Sequence, residues 1–122
     1  MPSYTPGLHI LATFSAPAMR LRDAEACRWF FDAQIQAFQL EKVGEAYHQF
    51  GSAENCSGGF TAVLALTESH LSIHTWPEYE LATFDVFLSN FRRDNSATVR
   101  EIYAATLAFF EGREQTKTEV SR

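Results

Sequence analysis

The segment with the greatest density of reactive side chains runs from Glu68 to Glu78 and reads ESHLSIHTWPE. It holds hydroxyl, imidazole and carboxylate groups, which are the groups that nucleophilic and acid–base catalysis use. Apolar and polar residues alternate from His70 to Trp76, which predicts a β-strand with both histidines on one side. Pro77 ends this strand because it has no backbone N–H to donate. The sequence therefore places the reactive groups on a β-sheet.

Two familiar kinds of site can be tested against this segment. His70 and His74 suit one metal ion only on a helix, because four residues of strand span roughly 13 Å. Ser69, His74 and Asp85 supply the residue types of a serine hydrolase, but no G-x-S-x-G sequence surrounds the serine. The plainest alternative is a solvated polar face of the sheet. We expect no metal site.

The elements that must position these residues follow from hydrophobic periodicity. Apolar residues recur at spacings of three and four in 23–40 and 96–111, which predicts two helices, with Asn95 or Ser96 at the start of the second and Gly112 at its end. The predicted strands are residues 8–14, 43–50, 60–67, 70–76, 81–89 and 115–120. This order indicates an α+β two-layer sandwich, an antiparallel sheet with two helices on one face. The other face needs a cover, so we expect a homodimer.

Composition limits the class of protein. The chain has 122 residues, of which 46% are hydrophobic and 20% charged, and this indicates a single folded domain over residues 1–122. The net charge of −5 disfavours a nucleic-acid or anionic-membrane partner. We see no membrane-length apolar run and no secretory signal in the first seven residues, so we expect a cytoplasmic protein. Cys27 falls on the core face of the first helix and Cys56 in a loop, and two cysteines do not make a disulfide framework.

The segment ESHLSIHTWPE, followed by Asp85-Val86-Phe87, resembles the prokaryotic S-adenosylmethionine decarboxylases, which are small pyruvoyl-dependent enzymes of polyamine synthesis. Gly7-Leu8-His9 resembles the first strand of that family, and Tyr47-His48-Gln49-Phe50 resembles its second. The resemblance extends over residues 7–120. It implies a two-layer fold, a homodimer of self-cleaved protomers, and decarboxylation of S-adenosylmethionine to the aminopropyl donor for spermidine.

The resemblance also implies that the chain cuts itself between Glu68 and Ser69. The Ser69 hydroxyl attacks the Glu68 carbonyl to form an ester, β-elimination releases the upstream chain, and residue 69 becomes a pyruvoyl group. By the same resemblance His74 is the processing base and Thr61 helps to stabilise the oxyanion. Ser69 and His74 are five residues apart and would face opposite sides of a regular strand. A turn or bulge near Ser69 is therefore required.

The pyruvoyl group is the cofactor that the resemblance implies, and it needs no metal. Its carbonyl forms a Schiff base with the amine of the small-molecule substrate and takes up the electrons left when carbon dioxide departs. Glu78 matches the carboxylate that holds the ribose hydroxyls. Phe50 and Trp76 are the aromatic residues expected to stack on adenine or to face the sulfonium.

The chain departs from the family around this predicted pocket. After the motif the family reads D-[VL]-F-T-C-G, and its cysteine returns a proton to the substrate carbon; here Ser89 and Asn90 stand in place of the cysteine and the glycine. A hydroxyl is a poorer acid than a thiol, whose reference pKa is about 8.5. Glu80 replaces another glycine, and the loop 51–59 is longer than usual and holds Cys56, which could supply the missing acid.

These departures leave two alternatives open. Glu80 near the site could pair with the distal cation of ornithine or arginine, which some members of this fold decarboxylate. The absent cysteine also fits a divergent paralogue that binds a ligand without turnover. Retained Trp76 and Glu78 favour S-adenosylmethionine as the substrate.

Overall fold

The computed structural model describes residues 4–51 and 58–122. Its strands are β1 (Gly7–Ser15), β2 (Lys42–Gln49), β3 (Phe60–Leu66), β4 (Ser69–Trp76), β5 (Leu81–Ser89) and β6 (Arg113–Ser121). Its helices are α1 (Ala18–Leu21), α2 (Ala24–Ala37) and α3 (Ser96–Phe110), and a 3-10 turn covers Pro77–Tyr79. The sequence does not predict α1, because four residues are too few to show a helical period. In these two described ranges no helix is long and apolar enough to cross a membrane.

The strands form one sheet in the order β2-β3-β4-β5-β1-β6, and every neighbouring pair is antiparallel. The first strand of the chain therefore lies between the fifth and the sixth. The register of β2 against β3 shifts between Lys42 and Gly44, which marks a bulge where β2 begins. The predicted antiparallel sheet is confirmed.

The helices cover one face of this sheet and bury alternate residues of its strands. α3 contacts β1 and β5, and α2 contacts β2. On β3 the buried residues are those that the alternation predicts, Phe60, Ala62, Leu64 and Leu66. Aromatic rings join the layers, since Phe31 of α2 stacks on Phe84 and Phe110 of α3 packs against Phe14. The predicted α+β two-layer fold is confirmed, and its core lies between the helices and the sheet.

α2 starts where the sequence predicts and ends earlier. The Asp23 carboxylate caps its first turn by accepting the Ala26 N–H at 2.9 Å. The helix ends at Ala37 instead of residue 40, because Gln39 takes a φ of 56° and turns the chain toward β2. Cys27 is buried on the inner side of this helix, as predicted.

α3 occupies the predicted residues but uses different groups at its ends. Asn95 is the N-cap residue, yet its side chain donates to the Ser89 carbonyl at 2.8 Å and does not cap the helix. At the other end Glu111, and not Gly112, takes the left-handed conformation, with a φ of 55°. The Gly112 N–H then donates to the Leu107 carbonyl at 2.7 Å and closes the helix.

The opposite face of the sheet, which we call the outer face, is not covered by the described residues. Leu11, Val63 and Trp76 lie on it and keep 38%, 42% and 39% of their surface exposed. Polar side chains alternate with them, including those of His70 and His74. The histidines of β4 therefore face away from the helices, as the alternation predicts.

Candidate active site

Ser69 is the first residue of β4 and directly follows a two-residue turn from β3. Glu68, the second residue of that turn, takes a φ of 61°, in the left-handed region that only glycine and asparagine adopt readily. The turn that the sequence requires near Ser69 is therefore confirmed. It places backbone strain on the residue whose carbonyl precedes Ser69.

The Ser69 hydroxyl lies against the end of β5. Its Oγ accepts the backbone N–H of Ser89 at 2.9 Å. An N–H directed at a hydroxyl oxygen stabilises negative charge that develops on that oxygen. Both serines line a cavity of about 520 Å³ together with Glu68, Phe91 and Arg92. The structure thus brings together three of the predicted site residues, Glu68, Ser69 and Ser89, which we call the serine group.

Ser89 is held by hydrogen bonds that the sequence analysis does not find. Its Oγ accepts the Phe91 N–H at 3.0 Å, and its carbonyl accepts Asn95 Nδ2 at 2.8 Å. Asn90, which replaces the glycine of the family, accepts the Asn95 N–H through Oδ1 at 2.9 Å. Tyr4 OH approaches Ser89 Oγ at 3.5 Å. Two asparagines shortly after a strand are a signal for such bonds, because asparagine side chains often bond to nearby backbone.

Thr61 and His74 face each other at the other end of the β3–β4 hairpin. Thr61 Oγ1 and His74 Nδ1 are 2.9 Å apart, which is hydrogen-bond distance. These two residues line a second cavity, of about 400 Å³, with Phe50, Trp76 and Glu78. The structure therefore gathers five predicted site residues in one place, and we call them the histidine group.

The serine group and the histidine group do not meet within one chain. Ser69 is the first residue of β4 and His74 is the sixth, so roughly 16 Å of strand separates them. Thr61 pairs with His74 and lies equally far from the turn. The tight turn beside Ser69 does not shorten the strand. Within one chain, His74 cannot accept the proton of the Ser69 hydroxyl.

Glu80 lies outside both groups. Its backbone takes a φ of 51° after the 3-10 turn, and its side chain lines a separate cavity with Glu111 and Arg113. Within one chain Glu80 does not line the cavity of the histidine group, and its place beside the substrate stays a prediction. Cys56, the other acid that the sequence offers, falls outside the described residues.

His9, His70 and Asp85 form a cluster on the outer face, with possible metal-ligand atoms all within 4.8 Å of one another. His9 Nε2 is 3.6 Å from Asp85 Oδ2, and Arg122 Nη1 is 3.4 Å from His9 Nδ1. Within the described residues His9 Nε2 is buried and makes no hydrogen bond, since 3.6 Å exceeds hydrogen-bond distance. The adjacent guanidinium of Arg122, which is always charged, opposes a divalent cation. We interpret the cluster as an electrostatic network and not as a metal centre.

Burial shifts the pKa values of two titratable residues, His70 and Cys27. Desolvation lowers the pKa of His70, and the neighbouring His9 and Arg122 lower it further against the opposing effect of Asp85. His70 is therefore neutral near pH 7. Burial, with a smaller contribution from Asp23, raises the pKa of the Cys27 thiol above its ordinary range. Cys27 is consequently an unreactive core residue, as predicted.

The Ser69 hydroxyl directly follows the strained Glu68 and accepts the Ser89 N–H. This geometry defines a class of small two-layer α+β protein that is equipped for intramolecular acyl transfer. The family is defined by comparison with known proteins. The family model described as S-adenosylmethionine decarboxylase matches residues 8–122. The chain belongs to the S-adenosylmethionine decarboxylase family, and the resemblance of its motif is confirmed.

Individual relatives agree with this family. A protein of Aquifex aeolicus (strain VF5) named S-adenosylmethionine decarboxylase proenzyme is 40% identical over 84 residues, which cover 68% of this chain and 58% of the relative. A protein of the same name from Thermoplasma volcanium is 30% identical over 129 residues, which cover 93% of this chain and 95% of the relative. The match thus spans less than two thirds of the Aquifex relative and nearly all of the Thermoplasma one.

The fold agrees as well. The crystal structure of the adenosylmethionine decarboxylase from Aquifex aeolicus VF5 superposes on this chain with a TM-score of 0.76 and 26% sequence identity. The superposition covers 98% of this chain and 91% of the crystallised chain.

Proposed function

We propose that this chain is the proenzyme of an S-adenosylmethionine decarboxylase that cuts itself between Glu68 and Ser69 and then makes the aminopropyl donor for spermidine. The names of its relatives support this substrate over ornithine or arginine. The observation that carries the proposal is the Ser69 hydroxyl, which follows the strained Glu68 and accepts the Ser89 N–H.

Self-cleavage begins when Ser69 Oγ attacks the carbonyl carbon of Glu68. The C–O bond of an ester replaces the C–N bond of the peptide, the hydroxyl proton passes to a base, and the released nitrogen takes up a proton. A left-handed glutamate costs about 1–3 kcal/mol, and cleavage of the bond beside it releases this strain. The Ser89 N–H stabilises the charge that develops on Oγ. The serine group still lacks a base.

The pyruvoyl group that the family uses would form at position 69. The cavity of about 520 Å³ leaves room there for a substrate, and the Ser89 N–H offers a hydrogen bond to a group at this position. When present, a pyruvoyl group supplies a carbonyl that withdraws electrons from the substrate carbon. The proposal includes no metal.

We place the missing base in a second protomer. The histidine group lies one strand length from the serine group, and the outer face between them exposes Leu11 and Val63. A two-fold dimer pairs a surface with its own copy, so an axis that passes between the two groups sets the serine group of one protomer against the histidine group of its partner twice. The partner's His74 then serves as the processing base for Ser69, with the partner's Thr61 beside it.

The histidine group is suited to a nucleoside. Phe50 and Trp76 keep 51% and 39% of their surface exposed and offer aromatic faces for adenine and for a sulfonium cation. Glu78 supplies two acceptor oxygens for a ribose diol. The cavity of about 400 Å³ lies within the usual range of small-molecule pockets, about 300–1,000 Å³.

The test is a mixed dimer made by co-expressing Ser69→Ala and His74→Gln chains with different affinity tags. Each homodimer lacks the serine or the histidine in both of its sites and should remain uncut. In the mixed dimer one site pairs Ser69 of the His74→Gln chain with His74 of the other chain. Denaturing mass spectrometry should therefore show the His74→Gln chain cut at residue 68 and the Ser69→Ala chain intact.

Gln36→Ala is the control, because Gln36 is an exposed residue of α2 outside both groups. This variant should cut itself like the wild type. An uncut His74→Gln chain in the mixed dimer, with a normally processed wild type, would contradict the shared site. A wild type that keeps a single intact mass would contradict the proenzyme itself.

A further inference from the structure

We propose that Tyr4 is the acid that takes the place of the cysteine of the family, acting through the hydroxyl of Ser89. The inference rests on the proposed decarboxylase function and concerns its last step, the return of a proton to the carbon that has lost carbon dioxide. It starts from the hydrogen bonds that surround Ser89 Oγ.

A serine hydroxyl has one proton to donate and two lone pairs that accept hydrogen bonds. The Phe91 N–H occupies one lone pair of Ser89 Oγ at 3.0 Å. Tyr4 OH lies 3.5 Å from the same oxygen, at the outer limit of a hydrogen bond, and its proton can occupy the second lone pair. The Ser89 hydroxyl can then donate its own proton to a group in the cavity that Ser89 and Ser69 both line.

The acidity of the groups explains why a tyrosine is useful here. A thiol has a reference pKa of about 8.5 and a phenol one of about 10, whereas an aliphatic alcohol does not titrate in water. A serine alone is therefore a poor substitute for a cysteine. If Ser89 receives the phenolic proton while it gives up its own, the phenol is the effective acid. The two hydrogen bonds donated to Ser89 Oγ also polarise the Ser89 O–H bond.

The step balances as follows. The bond from the substrate carbon to carbon dioxide breaks, and its electron pair stays with the carbon. The Ser89 hydroxyl gives its proton to this carbon, and Ser89 Oγ takes the phenolic proton of Tyr4. Tyr4 is 59% exposed, so water can return a proton to the phenolate before the next turnover.

Backbone hydrogen bonds bring the segment that carries Tyr4 close to Ser89. The Asn90 N–H donates to the Pro6 carbonyl at 2.6 Å and holds the segment before β1 against the segment after β5. Asn90 also accepts the Asn95 N–H, which ties the same segment to the start of α3. Asn90 stands where the resemblance of the motif leads one to expect a glycine, which has no side chain to make the bond to Asn95.

The first experiment compares wild type with Tyr4→Phe. The variant keeps the ring and loses the proton, so kcat should fall about tenfold, equivalent to about 1.4 kcal/mol, with an unchanged KM. If the proton is added to the carbon of the pyruvoyl group and not to the substrate carbon, residue 69 becomes an alanine. Mass spectrometry of the downstream fragment should therefore find a larger fraction of Tyr4→Phe chains with alanine at residue 69 per turnover. Tyr79→Phe is the matched control because Tyr79 is an exposed tyrosine outside both groups, and it should behave like the wild type.

The second experiment repeats Tyr4→Phe in a Ser89→Cys background. A thiol can donate its own proton, so loss of the Tyr4 hydroxyl should no longer lower kcat or raise the fraction of alanine. A merely structural role of Tyr4 would lower kcat equally in both backgrounds.

A third measurement needs no processed enzyme. In the Ser69→Ala proenzyme labelled with ¹³C at the hydroxyl-bearing carbon of tyrosine, the Tyr4 resonance should shift on Ser89→Ala, and that of Tyr79 should not. An unmoved Tyr4 resonance, or an unchanged kcat and alanine fraction in Tyr4→Phe of an active wild type, overturns the role of Tyr4 and leaves the decarboxylase intact. Wild type that cuts itself but releases no carbon dioxide overturns both.

Discussion

At the scale of single residues, the direction of the Ser69 hydroxyl depends on its hydrogen bond from the Ser89 N–H. Ser89 is the last residue of β5, where the ladder to β4 has ended and pairing continues only to Gly7 of β1. Asn95 holds Ser89 from the start of α3, by donating to the Ser89 carbonyl. A residue with no contact to Ser69 Oγ can therefore control the processing of the chain.

Asn95→Ala should lower both stability and the rate of self-cleavage. The Ser89 carbonyl would lose a buried hydrogen bond, which costs about 1–3 kcal/mol in unfolding free energy. The released Ser89 N–H would leave Ser69 Oγ, so the half-life of the uncut chain should lengthen. Urea denaturation of the Ser69→Ala form with and without Asn95→Ala measures the first effect, and denaturing mass spectrometry over time measures the second.

Gln36→Ala is the control for Asn95→Ala, because Gln36 is an exposed amide on α2. It should change neither quantity. Normal cleavage by an Asn95→Ala chain that has lost stability would show that Asn95 supports the fold and does not position Ser89.

The residue scale also shows what a sequence can and cannot reveal about this site. Ser69, His74 and Glu78 could be predicted because their types and spacing are carried by one contiguous motif. Asn95, six residues after Ser89, belongs to the local bonds that two asparagines after a strand signal. Tyr4 could not be predicted, since it lies far from Ser89 along the chain and only the folded topology makes them neighbours. Long-range hydrogen bonds leave no periodic signal in the sequence.

At the scale of elements, the β3–β4 hairpin concentrates strain beside the bond that we propose to be cut. Glu68→Gly should stabilise the uncut chain by about 1 kcal/mol, because glycine adopts a positive φ without a steric penalty. The same change should slow self-cleavage about fivefold, since the strained ground state is lost. Thermal unfolding of the Ser69→Ala form and the cleavage half-life of the active form are the two measurements.

The chain contains its own control for this prediction. Glu111 is also a glutamate in the left-handed region, at the end of α3, with a φ of 55° against 61° for Glu68. Glu111→Gly should relieve similar strain and leave the cleavage rate unchanged. Equal cleavage rates for Glu68→Gly and the wild type would show that the turn only directs the chain.

The outer-face cluster makes the stability of the sheet depend on pH. Because the folded chain lowers the pKa of His70 below its ordinary value of 6.5, the unfolded chain binds more protons in the interval between these two values. Stability is therefore full above about pH 6.5 and falls as the pH drops through this interval. The charged or titratable groups that face His70 are His9 from β1, Asp85 from β5 and Arg122 after β6.

Urea denaturation of the wild type and His70→Gln between about pH 5 and 8 tests this dependence. The variant should lose less stability than the wild type as the pH falls, and His48→Gln should behave like the wild type. Parallel curves for all three proteins would assign the pH dependence to other groups.

Most elements could be predicted because each one has a face toward the core. The alternation on β3 and the three- and four-residue spacing on α2 both reflect burial, and burial is recorded in residue type. The helix ends could not be placed as well, because Gln39 and Glu111 take left-handed conformations that their residue types disfavour. α1 is too short for a pattern, and it is held from outside by Thr75 Oγ1, which donates to the Leu21 carbonyl at 2.7 Å.

At the scale of the whole molecule, the exposed outer face predicts a dimer. Val63→Glu should convert it to a monomer at micromolar concentration, because two copies of the face would bury like charges against each other. Self-cleavage should stop in the same variant if the partner supplies His74. Light scattering with size-exclusion chromatography gives the mass, and mass spectrometry gives the extent of cleavage.

Val43→Glu makes the same substitution on the edge strand β2, where Val43 is 61% exposed. This control should remain a dimer and cut itself normally. A dimeric Val63→Glu protein would show that the protomers meet elsewhere.

The strand order has a consequence for the protein after the proposed cut. β1, β2 and β3 would belong to the upstream fragment and β4, β5 and β6 to the downstream one, yet β1 lies between β5 and β6. The two polypeptides would thus be interleaved, and neither could leave without breaking the hydrogen bonds on both edges of β1. A chain that folds by itself as one molecule would refold, once cut and denatured, only by an encounter of two molecules at a rate set by their concentration. Cleavage therefore makes unfolding hard to reverse, and the lifetime of the mature fold is set by its unfolding rate.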